Sequence, residues 1–150
     1  MSGYNGKVHS LLYPQVRAER YLVDPVAFVL AMFGGPVLVT VLSFWLVGIP
    51  VAALILGGPL FLIIGTPVLL WHLVRHTPEV NVISLLALIS VGTLFVVTAI
   101  LAALFADYEL VSVAVWYGLF GGIFAPLWGA MTGWIYIRLR REVYFHPVHV

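Results

Sequence analysis

The sequence predicts an all-α integral membrane protein with four transmembrane helices, arranged as two antiparallel hairpins with both termini in the cytoplasm. Apolar residues make up 63% of the 150 residues and charged residues only 9%, against about 25% in soluble domains. Four apolar stretches, approximately residues 26–47, 51–74, 82–105 and 110–137, contain no charged residue, and all seven Lys and Arg residues lie outside them. Each stretch provides the roughly 20 residues that a helix needs to cross a hydrocarbon core of about 30 Å. Because lipid cannot satisfy backbone hydrogen bonds, runs of this length must be helical.

These stretches divide the chain into three parts. We expect a cytoplasmic or interfacial N-terminal segment over residues 1–24, a four-helix transmembrane domain over 25–139 and a cytoplasmic tail over 140–150. Within the domain, the predicted helices cover approximately residues 26–47, 51–74, 78–105 and 108–139.

Start and stop signals separate the four helices. Asp24-Pro25 offers an N-cap followed by a proline at the first helical position, where its missing N–H costs nothing. Gly48 ends the first helix and Pro50 starts the second, while Pro78 and Glu79 start the third. The connections are short, and short connections make consecutive helices antiparallel neighbours.

The basic residues predict the orientation. The N-terminal segment, the connection between helices 2 and 3, the last residues of helix 4 and the tail hold all seven Lys and Arg residues, and the other two connections hold none. Positive charge marks the cytoplasmic side, so both termini are predicted to lie there. Trp45 and Trp116 are expected near the outer boundary and Trp71 and Trp134 near the inner one, whereas Trp128 is deeper and is expected to face protein.

Prolines accompanied by glycines occur inside three of the predicted helices. Each proline removes one backbone hydrogen bond and crowds the carbonyl four residues earlier, so the sequence predicts kinks. These positions are Pro36, Pro59, Pro67 and Pro126.

Helix 4 carries a pattern of small residues typical of close helix packing. Small side chains let two helix backbones approach each other in lipid, either within one chain or between chains. The sequence predicts a helix-packing interface on this face, and it leaves open which helix covers it. Its residues are Gly118, Gly121, Gly122, Ala125, Gly129 and Gly133.

Several kinds of chemistry are disfavoured by what the sequence lacks. There is no cysteine, which excludes thiolate catalysis, disulfides and Fe–S clusters. No charged residue lies in the middle of a predicted span, whereas ion-coupled carriers usually keep one there. The net charge of +1 gives no reason to expect nucleic-acid binding. No catalytic residues are identified, so we expect a protein that is not an enzyme.

Four histidines form a weak pattern for a metal site. His72 and His76 lie one turn apart near the cytoplasmic end of helix 2, and His146 and His149 lie in the tail. Neutral imidazoles suit zinc or copper, so a shared site is a hypothesis. Structural roles for interfacial histidines are the more ordinary interpretation.

The sequence favours a non-catalytic accessory or structural subunit of a larger inner-membrane complex, acting in assembly, stabilisation or scaffolding through lateral helix packing. Other integral membrane subunits and membrane lipid are the expected partners, and a homo-oligomer stays open. No cofactor is strongly implied, and bound lipid is the small molecule to consider. Two alternatives remain: a small homo-oligomeric transporter or channel that uses the broken helices, and a metal- or haem-binding redox subunit that uses the histidines.

Overall fold

Four long helices form the body of the protein. The computed structural model describes residues 19–46, 48–106, 108–144 and 147–149. All four helices are long and apolar enough to span a membrane, which confirms the predicted helical framework of a multi-pass membrane protein. They are α1 (Pro25–Leu42), α2 (Ile49–Arg75), α3 (Val80–Phe105) and α4 (Tyr108–Leu139).

The first helix begins where the sequence predicts and ends earlier. The Oδ1 atom of Asp24 accepts hydrogen bonds from the backbone N–H groups of Val26 and Ala27, at 3.1 and 3.3 Å, as expected of an N-cap. The helix ends at Leu42, five residues before the predicted boundary at 47. The Ser43 hydroxyl and backbone N–H both donate to the carbonyl of Val39, and a short 3-10 turn follows. Apolar composition continues past this point, so hydropathy alone overestimated the helix length.

The remaining helix boundaries depend on residues in unusual backbone conformations. Gly48 precedes α2 with a φ of 80°, a left-handed conformation that costs a glycine nothing. Ala106 ends α3 with a φ of 51°, which is uncommon for a residue with a Cβ atom. The third helix begins at Val80, two residues after the predicted start, and α4 has its predicted bounds. Each helix is continuous through its internal prolines.

Helix α4 is the central element of the bundle. It packs along α3 and along α1, whereas α2 makes fewer contacts with either α3 or α4. One buried cluster draws on all four helices and includes Phe28, Leu73, Ile83 and Tyr136. A second cluster is centred on Trp128, which is 3% exposed while Trp45 is 77% exposed. The prediction that Trp128 faces protein is therefore confirmed.

Two short strands join the ends of the described chain. Strand β1 (Glu19–Tyr21) pairs antiparallel with β2 (Pro147–His149), with Arg20 opposite Val148. Strands of three residues carry too little alternation to be recognised in a sequence, and the predicted tail gave no sign of them. Most of the N-terminal segment expected at the interface, residues 1–18, lies outside the described residues.

Candidate functional site: the α4 packing face, the chain-end cluster and an apolar cavity

The small residues of α4 bring this helix close to α3. A Cβ atom added to Gly118 would lie 2.7 Å from the ring of Phe95, and one added to Gly121 would lie 2.5 Å from Cγ1 of Val91. Ordinary carbon contacts are about 3.5–4.0 Å, so a larger residue at either position would force these α3 side chains to move. The packing face predicted on α4 thus lies against α3 of the same chain at these two positions.

At Gly129 the backbone of α4 lies against the backbone of α3. An added Cβ atom there would lie 2.9 Å from the carbonyl oxygen of Ile83 and 3.0 Å from Cα of Ser84. Both neighbours are backbone atoms, which cannot rotate away. Nearby, the Ser84 hydroxyl donates a 2.8 Å hydrogen bond to the Pro126 carbonyl on α4. This bond joins the two helices close to that backbone contact.

The other members of the predicted face differ in their surroundings. Gly133 faces Ile83 and Val80 of α3 at 3.1 and 3.3 Å from the position of an added Cβ atom, and Ala125 is buried. Gly122 is different, because nothing lies within 4 Å of its Cβ position in the described part of the protein. Gly122 therefore leaves an open notch on the surface of α4.

A second close helix contact was not predicted from the sequence. Gly35 of α1 lies against Thr132 of α4, where an added Cβ atom would clash with the threonine hydroxyl and lie 2.9 Å from its backbone nitrogen. The sequence pattern predicts a kink at Pro36, with the glycines before it, Gly35 among them, only as companions of that kink. A glycine that permits close packing and one that accompanies a kink look the same in a sequence, so the pattern could not have separated the two roles.

Asp24 and Arg141 form a cluster that ties the start of α1 to the residues after α4. Arg141 donates from Nε to Oδ2 of Asp24 at 2.8 Å and from its terminal nitrogen to Oδ1 at 3.2 Å, which is a two-pronged ion pair. The backbone N–H of Arg141 also donates to Oδ2, at 3.3 Å, and the Asp24 N–H donates to the Tyr136 hydroxyl at 3.4 Å. The Asp24 side chain is 1% exposed and the Arg141 side chain 60% exposed.

This cluster holds Asp24 in its charged form. The pKa of Asp24 falls to about 2, mainly because the Arg141 side chain donates hydrogen bonds to the carboxylate; burial opposes this lowering, and the N–H groups of Ala27 and Arg141 contribute to it. The same hydrogen bonds raise the pKa of Arg141. Both residues were expected only in separate roles, Asp24 as an N-cap and Arg141 as a marker of orientation. Their pairing depends on a separation of 117 residues that no local pattern encodes.

Arginines at this end of the bundle stack on aromatic rings. The guanidinium of Arg75 lies 4.8 Å from the ring centre of Trp71, and that of Arg138 lies 5.7 Å from the ring centre of Trp134. A cation over an aromatic face is attracted by the ring electrons, and aromatic rings at a membrane boundary sit at headgroup level. These pairs place cationic and aromatic side chains at the same end of the bundle as the ion pair of Asp24 with Arg141.

The histidines of the proposed metal site are only partly brought together. The rings of His72 and His76 stack with their centres 5.1 Å apart and a 12° angle between their planes. His149 lies in β2 opposite Glu19, and His146 lies outside the described residues. No group of three or more His, Cys, Asp or Glu residues suited to a metal occurs in the described part of the chain. The four-histidine site stays a hypothesis.

An apolar cavity of about 410 Å³ separates α2 from the pair formed by α3 and α4. It extends along α4 from Val113 to Trp128 and along α2 from Ile49 to Gly65. This volume falls within the range of roughly 300–1,000 Å³ that ligand sites usually occupy. Along this cavity α2 makes few contacts with α3 and α4.

No protein-family model, curated protein or solved structure matches this chain.

Proposed function

We propose that this protein is a non-catalytic accessory subunit of a larger membrane complex, which it stabilises, scaffolds or helps to assemble through lateral helix packing. One observation carries the proposal. The described ionisable side chains are concentrated near the helix ends, and the middle of each helix presents apolar groups without a reactive cluster. A surface of this kind acts by packing, because it offers neither acid–base groups nor metal ligands.

For its topology we propose two antiparallel hairpins, with both termini in the cytoplasm and the domain in the inner (plasma) membrane. The pairing of β1 with β2 and the ion pair of Asp24 with Arg141 support termini on one side, because they tie together the two ends of the four-helix domain. The distribution of the seven Lys and Arg residues supports assigning that side to the cytoplasm.

We also propose that the helices bend at Pro36, Pro59, Pro67 and Pro126. Each proline lacks the N–H that would bond the carbonyl four residues earlier, and each lies inside a continuous helix. Bends at these positions would shape the lateral surface that a neighbouring subunit meets.

For the partner-binding surface we propose the faces that include Gly92 of α3 and Gly122 of α4. Nothing described lies within 4 Å of the Cβ position of either glycine, so both can accept a close helix from another chain. The glycines buried between α3 and α4 are already used within the chain. This division supports a partner that docks through the remaining small residues.

Affinity purification from mild detergent tests this proposal. A tagged copy should recover at least one other integral membrane protein in a fixed ratio. Gly122→Leu and Gly92→Leu should each weaken that recovery without changing helix content, because their side chains enter open space. Ala103→Leu, at an exposed position of α3, is the matched control and should retain the partner. Recovery of the protein as a free monomer only, at every detergent strength that keeps it folded, would refute the proposal.

The topology is tested separately with reporters. A reporter fused to the C-terminus should be active only if its enzyme or fluorophore works in the cytoplasm. A second reporter placed in the connection between α1 and α2 should show the opposite behaviour. Export of the C-terminal reporter would overturn the proposed orientation.

A further inference from the structure

The cavity between α2 and the α3–α4 pair is large enough to hold a ligand. A void of about 410 Å³ inside a transmembrane bundle leaves the lining side chains without packing partners on one side. Water would find no charged group there. None of the lining residues is Asp, Glu, Lys, Arg or His.

The hydroxyl groups that line the cavity walls are already bonded. Ser90 donates to the Leu86 carbonyl at 2.7 Å, and Thr98 donates to the Leu94 carbonyl at 2.8 Å. The indole nitrogen of Trp128 is buried and exposes no surface to a ligand. Apart from the Trp116 and Tyr117 side chains at one end, the walls are therefore chemically equivalent to hydrocarbon. An uncharged apolar occupant complements them.

The shape of the cavity decides between a helix and a chain. Fifteen residues of α4 separate Val113 from Trp128, a length of about 22 Å at roughly 1.5 Å per residue. The volume of about 410 Å³ is the space open to the centre of a water-sized sphere. Over that length, with the sphere's radius of about 1.4 Å added on each side, it corresponds to a channel about 8 Å wide, against about 10–12 Å for a helix. A partner helix is therefore too wide to enter. A single hydrocarbon chain is about 4 Å thick, because its carbon atoms meet neighbours at about 3.5–4.0 Å.

We propose that this cavity binds one acyl chain of a membrane phospholipid. The chain enters at the end where α2 and α4 begin, near Ile49 and Val113, and its methyl end reaches Gly65 and Trp128. Trp116 lines the entrance, and tryptophan suits the headgroup level. The length of about 22 Å exceeds one leaflet of a bilayer core of about 30 Å, so a long chain fits completely. The bound chain supplies the packing that α2 lacks against α3 and α4.

Photo-crosslinking in vesicles tests the proposal with the full-length protein. The probe is a phosphatidylethanolamine with a diazirine either at the methyl end or beside the carbonyl of one acyl chain, diluted into dioleoyl phosphatidylethanolamine and phosphatidylglycerol. Peptide mapping should place methyl-end labels on Trp128 and Ala87, deep in the cavity, and carbonyl-side labels on Ile49 and Val113. Ile63 is 71% exposed and does not line the cavity, so it reports ordinary labelling by bulk lipid.

Two variants block the cavity from opposite walls. Ala52→Phe on α2 and Thr98→Phe on α3 should each abolish deep labelling of Trp128 while labelling of Ile63 persists. Ala103→Phe, an exposed position that does not line the cavity, is the matched control and should retain deep labelling. Circular dichroism identifies any variant that fails to fold, and the other wall then provides the test. Deep labelling that is absent in the wild type, or that survives in a folded blocking variant, overturns the proposal.

Discussion

Replacing Gly129 by alanine should destabilise the protein relative to the same change at Gly122. An added Cβ atom at Gly129 would lie 2.8 Å from the Ala87 Cβ atom, 2.9 Å from the Ile83 carbonyl oxygen and 3.0 Å from Cα of Ser84. Overpacking of this kind typically costs about 1–3 kcal/mol. Against that cost, alanine is about 0.8–1.0 kcal/mol more favourable than glycine within a helix.

The substitution Gly122→Ala isolates the favourable effect. Nothing described lies within 4 Å of its Cβ position, so only the helix preference of alanine should change. The two variants should therefore differ in the free energy of unfolding by about 1–3 kcal/mol, with Gly122→Ala the more stable. Each kcal/mol corresponds to roughly 2–4 °C in Tm for a chain of this size.

Thermal unfolding in detergent, followed by circular dichroism, measures the difference in Tm, and unfolding in sodium dodecyl sulfate gives an independent free energy. A double variant, Gly129→Ala with Ala87→Gly, should recover part of the loss, because it removes one of the three close contacts. Equal stability of the two single variants would refute the close approach of α3 to α4 at Gly129.

Two further predictions concern single interactions. Because Arg141 lowers the pKa of Asp24 to about 2 in the folded protein, the stabilisation that this carboxylate provides should be complete above about pH 4 and be lost as the pH falls towards 2. The Tm difference between wild type and Asp24→Asn should shrink over that interval, and a difference that stays constant would contradict the ion pair. Ser84→Ala removes the hydroxyl that bonds the Pro126 carbonyl on α4 and should cost about 0.6 kcal/mol, the average for hydrogen bonds between membrane helices. Ser90→Ala is the control for Ser84→Ala, because its hydroxyl bonds only within α3, and an equal loss of Tm in both would show that the bond between helices adds nothing.

The proposed acyl-chain site and the proposed accessory function can be tested independently of each other. Blocking the cavity at Ala52 should leave partner recovery intact, because Ala52 lines the cavity whereas Gly92 and Gly122, on the proposed docking faces, do not. Losing the partner in Gly122→Leu should leave deep lipid labelling intact. Each failure therefore points to one proposal and leaves the other standing.

Local patterns in the sequence predicted the four helices and most of their boundaries. Apolar stretches long enough to cross a bilayer, bounded by prolines, glycines and acidic caps, act within a few residues of where they occur. Asp24 could therefore be assigned as an N-cap, and the bounds of α4 could be predicted correctly. The early end of α1 was missed because the side chain of Ser43 returns to the Val39 carbonyl within a run that stays apolar.

Which helices of the chain pack against each other was decided by the tertiary structure. The small residues of α4 predicted a close helix contact. Only the tertiary structure shows that Gly129 packs against α3, while no described residue lies beside the Cβ position of Gly122. The pairing of Asp24 with Arg141, the two short strands and the cavity beside α2 all join residues far apart in the chain. The sequence of a hydrophobic span does not specify which helix packs beside it, because every apolar face is equally soluble in lipid. Steric fit and the few polar bonds at the helix ends settle which helices touch.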